Sequence, residues 1–196
     1  MTWQSESSKS LGYWTLSLHF LRLAEASCAL LAATENPHVV ISKAPLGPNE
    51  YSEATLWSDH SVGIAILFNF FHGIELILKV FISVSDTAPN HHRLTELLTT
   101  FEKSQQNTDL AKTISANVRS IDPNSPLGTF MTNNSIQIDK WFEALKYPES
   151  TKGQSFSHID LKYGGLDTVP FWQSIGEATR QVRLQAVALS RERGYV

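Results

Sequence analysis

A chain of 196 residues that is 42% hydrophobic and 18% charged can bury a core without staples, and its low charge excludes a disordered chain. A formal net charge of −3 with a pI near 6.1 excludes a global electrostatic pull toward nucleic acid or membrane surfaces. One cysteine, Cys28, excludes an intramolecular disulfide framework and a cysteine-rich zinc site; within the apolar run Leu23 to Leu31 it reads as a buried thiol.

The opening residues lack a basic segment followed by an apolar run, so no signal peptide and a cytoplasmic location are expected. Residues 10–34 are predicted to form the first helix, with Trp14, Leu16, Phe20, Leu21, Leu23 and Leu30 around its circumference and Asn36-Pro37 ending it. Residues 36–49, rich in proline, form a loop. A second, long helix is predicted from a cap at Asn49 to about Ser85, with a bend between Ser58 and Gly63. Its segment Val62 to Val84 has the length of a membrane span. It also holds Asn69, His72, Glu75 and Lys79, each costly in lipid, so a central bundle helix is expected and no membrane partner.

His91 to Lys103 is predicted as the third helix, with Leu94, Leu97, Leu98 and Phe101 at helical spacing, and Asp109 to Ile121 as a weaker fourth. Asp122-Pro123-Asn124-Ser125-Pro126 reads as a break. Asn134 or Ser135 caps a fifth helix with Ile138, Trp141, Phe142 and Leu145 on its apolar side. Residues 146–168 read as an irregular loop with a short extended piece at Phe156 to Tyr163. Pro170 opens the last helix, whose Phe171, Ile175, Ala178, Val182, Ala186 and Leu189 fall in a stripe roughly 80° wide. The expected architecture is an all-α antiparallel bundle of five to six helices, one domain over 1–196 with its core at about 10–192.

The most informative pattern lies on the central helix. Asn69, His72, Glu75, Lys79 and Ser83 share one edge, within roughly 120°, while the rest of the circumference is apolar. Glu75 and Lys79 stand in the favourable order for an i,i+4 ion pair. The edge reads in two ways: a solvent-facing strip, or a polar groove in which neighbouring elements supply partners. His72 and Glu75 provide only two metal ligands at i,i+3, so neither a metal site nor a cofactor is expected.

Three segments in series resemble HEPN domains, a family of helical bundles. Gly73-Ile74-Glu75-Leu76-Ile77-Leu78-Lys79 is similar to that family's Glu-x-x-x-Lys central helix. His91-His92-Arg93-Leu94-Thr95-Glu96-Leu97-Leu98 resembles its His-x-Leu-x-x-Leu-Leu segment after a proline-containing turn. Ala144-Leu145-Lys146-Tyr147-Pro148-Glu149 resembles the Ala-Arg-Tyr-Pro-Asp before the last helix. Order and spacing agree over about residues 55–190. The resemblance implies a bundle that binds nucleotide, RNA or a protein partner, often as a homodimer, in defence, toxin–antitoxin or RNA-processing systems. Catalytic members carry Arg, four to six residues, then His. None of the arginines here has a histidine at that distance, and the last helix contains none.

No Gly-rich phosphate loop and no nucleophile elbow is present. His91 and His92 are adjacent and diverge, so His92 reads as a residue that pins the turn. Arg180, Arg183 and Arg191 lie opposite the core stripe of the last helix, as phosphate contacts or as a solvated face; Leu184 and Val187 interrupt that side and no aromatic interleaves it. The loop carries Lys152, His158, Lys162 and Tyr163. The leading expectation is a non-catalytic HEPN-like protein with His72, Glu75 and Lys79 in the wall of a binding site, approached by His92, Lys146 and Tyr147. An RNase using His72 with His92 is the alternative from the enzyme class, and an assembly protein with an apolar two-fold surface is a third.

Overall fold

The computed structural model describes residues 3–37, 43–85 and 87–195. Its elements follow in chain order as α1 (Trp3–Ala33), α2 (Pro48–Ala54), a π-turn (Asp59–Gly63) leading into α3 (Ile64–Ser85), α4 (Leu94–Ser104), α5 (Asp109–Val118) and α6 (Pro126–Asn133). A 3-10 turn (Ile138–Lys140) opens α7 (Trp141–Lys146), two further 3-10 turns follow (Ile159–Leu161, Gly165–Thr168), and α8 (Val169–Glu192) ends the fold. Among the described residues there is no strand; the isolated antiparallel bridge Glu149–Ser155 is an extended pairing without a ladder.

The all-α class holds, with eight α-helices among the described residues where five to six were expected. Two physical reasons account for the difference. The expected long second helix is divided: Gly47 caps α2 with Pro48 in its first turn, and α2 stops at Thr55, whose carbonyl accepts the Ser58 and Ser61 hydroxyls. The backbone is extended at Ser58, at the start of the bend expected between Ser58 and Gly63, and helix resumes in the π-turn that leads into α3. The second reason is α6. Ser125-Pro126 is a start signal and not the expected break: the Ser125 hydroxyl accepts from Gly128 N and Pro126 fills the first turn, where no N–H is needed. Asn134, expected to cap a following helix, closes α6 instead by donating from Nδ2 to the Phe130 carbonyl.

α3 is the axis of the bundle. Ile66, Leu67, Phe70, Phe71, Ile74 and Ile77 are all buried, and α1, α4, α7 and α8 pack around them. A helix apolar on nearly every side is stable only in such a position. α1 lies against both α3 and α8 through close approaches that need glycine: a Cβ at Gly73 would sit 2.6 Å from Leu21 Cγ, and one at Gly176 would sit 2.9 Å from Cys28 Cβ. α4 buries Leu94, Leu97, Leu98 and Phe101, and α8 buries Ile175, Val182, Ala186 and Leu189, as the helical spacing predicted. Cys28 is buried, and burial pushes its thiol up to about 12. Two segments, Ser10–Ala33 and Asp59–Val84, have the length and apolar composition of membrane-crossing helices; over an apolar 18-residue stretch of each, 72% of the second but only 33% of the first is buried within the chain.

Residues 146–168 are less irregular than expected. Phe156 to Tyr163 is not extended; a 3-10 turn occupies Ile159–Leu161. Asn134 holds this stretch through Ser157 N and O, Gln154 Nε2 donates to the Asn134 carbonyl, and His158 Nε2 lies 2.7 Å from the Ala144 carbonyl.

Candidate functional site

The polar edge of α3 is buried by its neighbours. Glu75 is 1% exposed and Lys79 7%, so the solvent-facing reading of this strip does not hold. Lys79 Nζ donates to Glu75 Oε1 at 2.7 Å. His72, one helical turn before Glu75, places Nδ1 3.3 Å from Oε2. His92, from the segment leading into α4, places Nδ1 3.0 Å from both carboxylate oxygens. One buried carboxylate thus receives three cationic or hydrogen-bonding side chains.

Electrostatics follow from that geometry. Burial alone would raise the Glu75 carboxyl, but hydrogen bonds from His72, Lys79 and His92 and the Lys79 charge outweigh it and hold the group at about 2. Glu75 is therefore ionised at neutral pH and can only accept. The ring nitrogens facing it must carry protons, so both histidines present Nδ1–H inward. Nε2 of each ring is left as an acceptor in the neutral ring and a second donor in the protonated one.

The outer layer is aromatic. His92 stacks on Phe142, with ring centroids 3.8 Å apart and planes 7° from parallel. Lys146 Nζ sits 4.8 Å from the centre of the same ring and 5.1 Å from that of Tyr147. His72 is bracketed by Phe20 at 4.6 Å, Phe68 at 5.5 Å and Trp141 at 6.2 Å. The His92 side chain is 44% exposed against 20% for His72, and Lys146 and Tyr147 are exposed as well. From inside outward the order is charge pair, imidazoles, phenyl ring, then a lysine and a phenol in solvent.

Local structure explains why these groups meet. His92 precedes α4, which begins at Leu94, and is not a helical residue; its carbonyl accepts Trp141 Nε1–H at 2.8 Å. Asp139 accepts from Thr95 N at 2.9 Å and bonds the Thr95 hydroxyl, so the 3-10 turn before α7 caps α4. These ties dock α7 on the start of α4 and lay Phe142 over His92. His91 points elsewhere, with Nε2 3.4 Å from Glu96, so the two adjacent histidines do diverge. Of the remaining residues on the α3 edge, Ser83 bonds Ser10 at 2.9 Å and its own helix through Val80 O.

Arg180, Arg183 and Arg191 are not brought to this site. Arg180 bonds Glu177, and Arg183 bonds Glu25 on α1 at 2.9 Å, which neutralises two of the three; Arg191 is exposed in the last turn of α8. Among the described residues no group of three or more His, Cys, Asp or Glu side chains is arranged to hold a metal ion.

A second buried polar centre was not anticipated. Asp59, 2% exposed, accepts from Asn36 Nδ2, Tyr163 N and Gly164 N at 2.9 Å each and from the Thr168 hydroxyl at 3.2 Å. Asn36, fully buried with a φ of 52°, accepts in return from Asp59 N at 2.7 Å. This clasp joins the end of α1, the π-turn and the approach to α8. An acidic residue beside a glycine-bearing bend was its only sequence signal. Compared with known protein-family models, with curated proteins and with solved structures, the chain matches none.

Proposed function

We propose that this chain is a non-catalytic, HEPN-like binding protein of the cytoplasm that takes a nucleotide, or a nucleotide within an RNA strand, at the Glu75-centred edge. The observation that carries the reading is convergence. The three segments that resemble HEPN domains are separated in sequence, yet their polar residues Glu75, Lys79, His92, Lys146 and Tyr147 lie in or beside one cluster. The outer layer suits such a ligand: Tyr147 and the Phe142–His92 stack offer flat faces for a base, and Lys146 and the His92 Nε2 edge offer positive or donor groups for a phosphate. Glu75 and Lys79 keep the imidazoles oriented, a positioning role beneath the contact surface.

Isothermal titration of the full chain with adenine, guanine, cytosine and uracil mononucleotides and a short single-stranded RNA tests this. Wild type is expected to bind at least one, and Lys146→Ala and His92→Ala to weaken it roughly tenfold or more. Absence of binding to every member of the panel, or binding unchanged in both variants, overturns the reading.

One observation favours a second reading, an RNase with an unconventional site. Two imidazoles share one carboxylate, which is the arrangement that orients a ring for proton transfer. Incubation with total RNA, with and without EDTA, separates the two: metal-independent cleavage lost in His72→Ala supports the RNase, and no cleavage by wild type removes it.

A further inference from the structure

The two nitrogens of His92 stand in opposite surroundings. Nδ1 lies 3.0 Å from both oxygens of Glu75, a buried carboxylate that is ionised at neutral pH. An ionised carboxylate accepts and cannot donate, so the Nδ1 proton is fixed inward. The neutral ring then has one tautomer open to it, with a bare lone pair on Nε2. Nε2 bonds no protein group among the described residues, and the side chain is partly exposed, so this edge meets solvent. Phe142, stacked on one face of the ring, fixes its plane and leaves the Nε2 edge open to a ligand.

We propose that His92 sets the specificity of this edge: neutral, it accepts a hydrogen bond from a hydroxyl or amino group, and it takes up a proton in order to receive a phosphate. The inference rests on the nucleotide reading of the Glu75 edge. A phosphate oxygen and a bare Nε2 are both acceptors and repel. A proton from solvent adds to the Nε2 lone pair, the ring passes from neutral to singly positive, and the new N–H donates to a phosphate oxygen. The charges around the ring permit this. On α3, Glu75 faces it, and the same carboxylate holds Lys79 and His72; Lys79 offsets the carboxylate charge, so that buried pair is neutral before His92 titrates. On α7, the exposed Lys146 lies over the same Phe142 ring, next to Tyr147. In the segment of His92 itself, His91 and Arg93 both turn to Glu96. Asp139 is engaged by Thr95, and Glu143 by Thr151 and Lys140. Lys146 therefore opposes a charged His92 until an anion offsets both. Phosphate binding and proton uptake are linked, each favouring the other. His72 does not share the role, because Phe20, Phe68 and Trp141 enclose its ring.

Isothermal titration of the full chain tests the linkage. The probes are the methyl phosphodiesters of the adenine, guanine, cytosine and uracil 5′-mononucleotides, with the matching nucleosides as phosphate-free controls. A diester keeps one negative charge across the range, whereas a monoester would itself titrate at about pH 6. From about pH 8 to about pH 5.5, at least one diester is expected to bind at least about fivefold more tightly. Proton uptake should appear as a difference in heat between buffers of unlike ionisation enthalpy. The nucleosides should show no such gain. His92→Gln, which cannot gain the proton, should bind the diester no more tightly at the lower pH. Nitrogen-15 NMR of wild type reads the same event without a substitution: at about pH 7 the diester should bring a second proton onto His92. Affinity that does not change with pH, binding without proton uptake, an equal gain in the nucleosides, or a pH dependence that survives in His92→Gln overturns this inference and leaves the nucleotide site standing. Failure of every diester to bind at any pH overturns both.

Discussion

Replacing Glu75 with Gln perturbs the centre of the molecule and gives the sharpest energetic test. The carboxyl sits at about 2 against an ordinary 4.5, which corresponds to about 3 kcal/mol of stabilisation of the ionised form by the fold. The substitution also leaves Lys79, 9% exposed at its side chain, as a buried cation without its anion, a defect that costs about 3–5 kcal/mol. We expect Glu75→Gln to lose about 3–4 kcal/mol near pH 7, or roughly 10 °C in melting temperature for a chain of this length. The sign with pH is fixed by the downward shift: the contribution is fully present above the unfolded carboxyl value and is lost as pH falls through the folded one. Urea denaturation by circular dichroism should therefore show the gap between wild type and Glu75→Gln closing from about pH 5 to about pH 2. Glu75→Met combined with Lys79→Met should cost much less than the two single changes added, because no charge is left unpaired. A Glu75→Gln protein within about 1 kcal/mol of wild type, or a gap independent of pH, refutes the account of a buried, satisfied carboxylate.

At the second polar centre, Asp59→Ala orphans the Tyr163 and Gly164 amides and should cost about 2–4 kcal/mol in the same assay, with faster hydrogen exchange around residues 163–168. Gly73→Ala drives a methyl into Leu21 at the α1–α3 contact and should cost about 1–3 kcal/mol or more, while Gly12→Ala, with open space around it, should not destabilise. Cys28 should resist a thiol reagent in the folded chain, with modification appearing only as denaturant unfolds it.

The sequence carried much of this fold because the helices are strongly periodic. Leu94, Leu97, Leu98 and Phe101, or Ile175, Val182 and Ala186, can be buried together only on one side of a helix. The α3 edge was legible for the same reason: polar residues at three- and four-residue steps stand out on a helix otherwise apolar. What covers that edge was less so. His92 bonds a carboxylate 17 residues away, and Trp141 reaches back 49 residues to the His92 carbonyl. Such pairings depend on tertiary docking and leave no local periodicity. Phe142 was read as an apolar helix residue, and nothing near it in the chain says that its ring lies under an imidazole. The Asp59 clasp spans 23 to 109 residues and was invisible for that reason. α6 differs in kind: its signal is local, since proline stops a helix in the interior but starts one directly after a serine cap, as Pro126 does after Ser125.

The most direct test of the central claim is nitrogen-15 imidazole NMR of the full chain during titration with the mononucleotide panel and the short RNA. Free protein should show His72 and His92 carrying their protons on Nδ1, toward Glu75. Ligand should then move the His92 Nε2 resonance and the Lys146 amine together, in a saturable way that His92→Ala abolishes. A His92 signal with its proton on Nε2 alone contradicts the geometry of the site. Resonances of His92 and Lys146 unmoved by every nucleotide and by RNA contradict the function assigned to it.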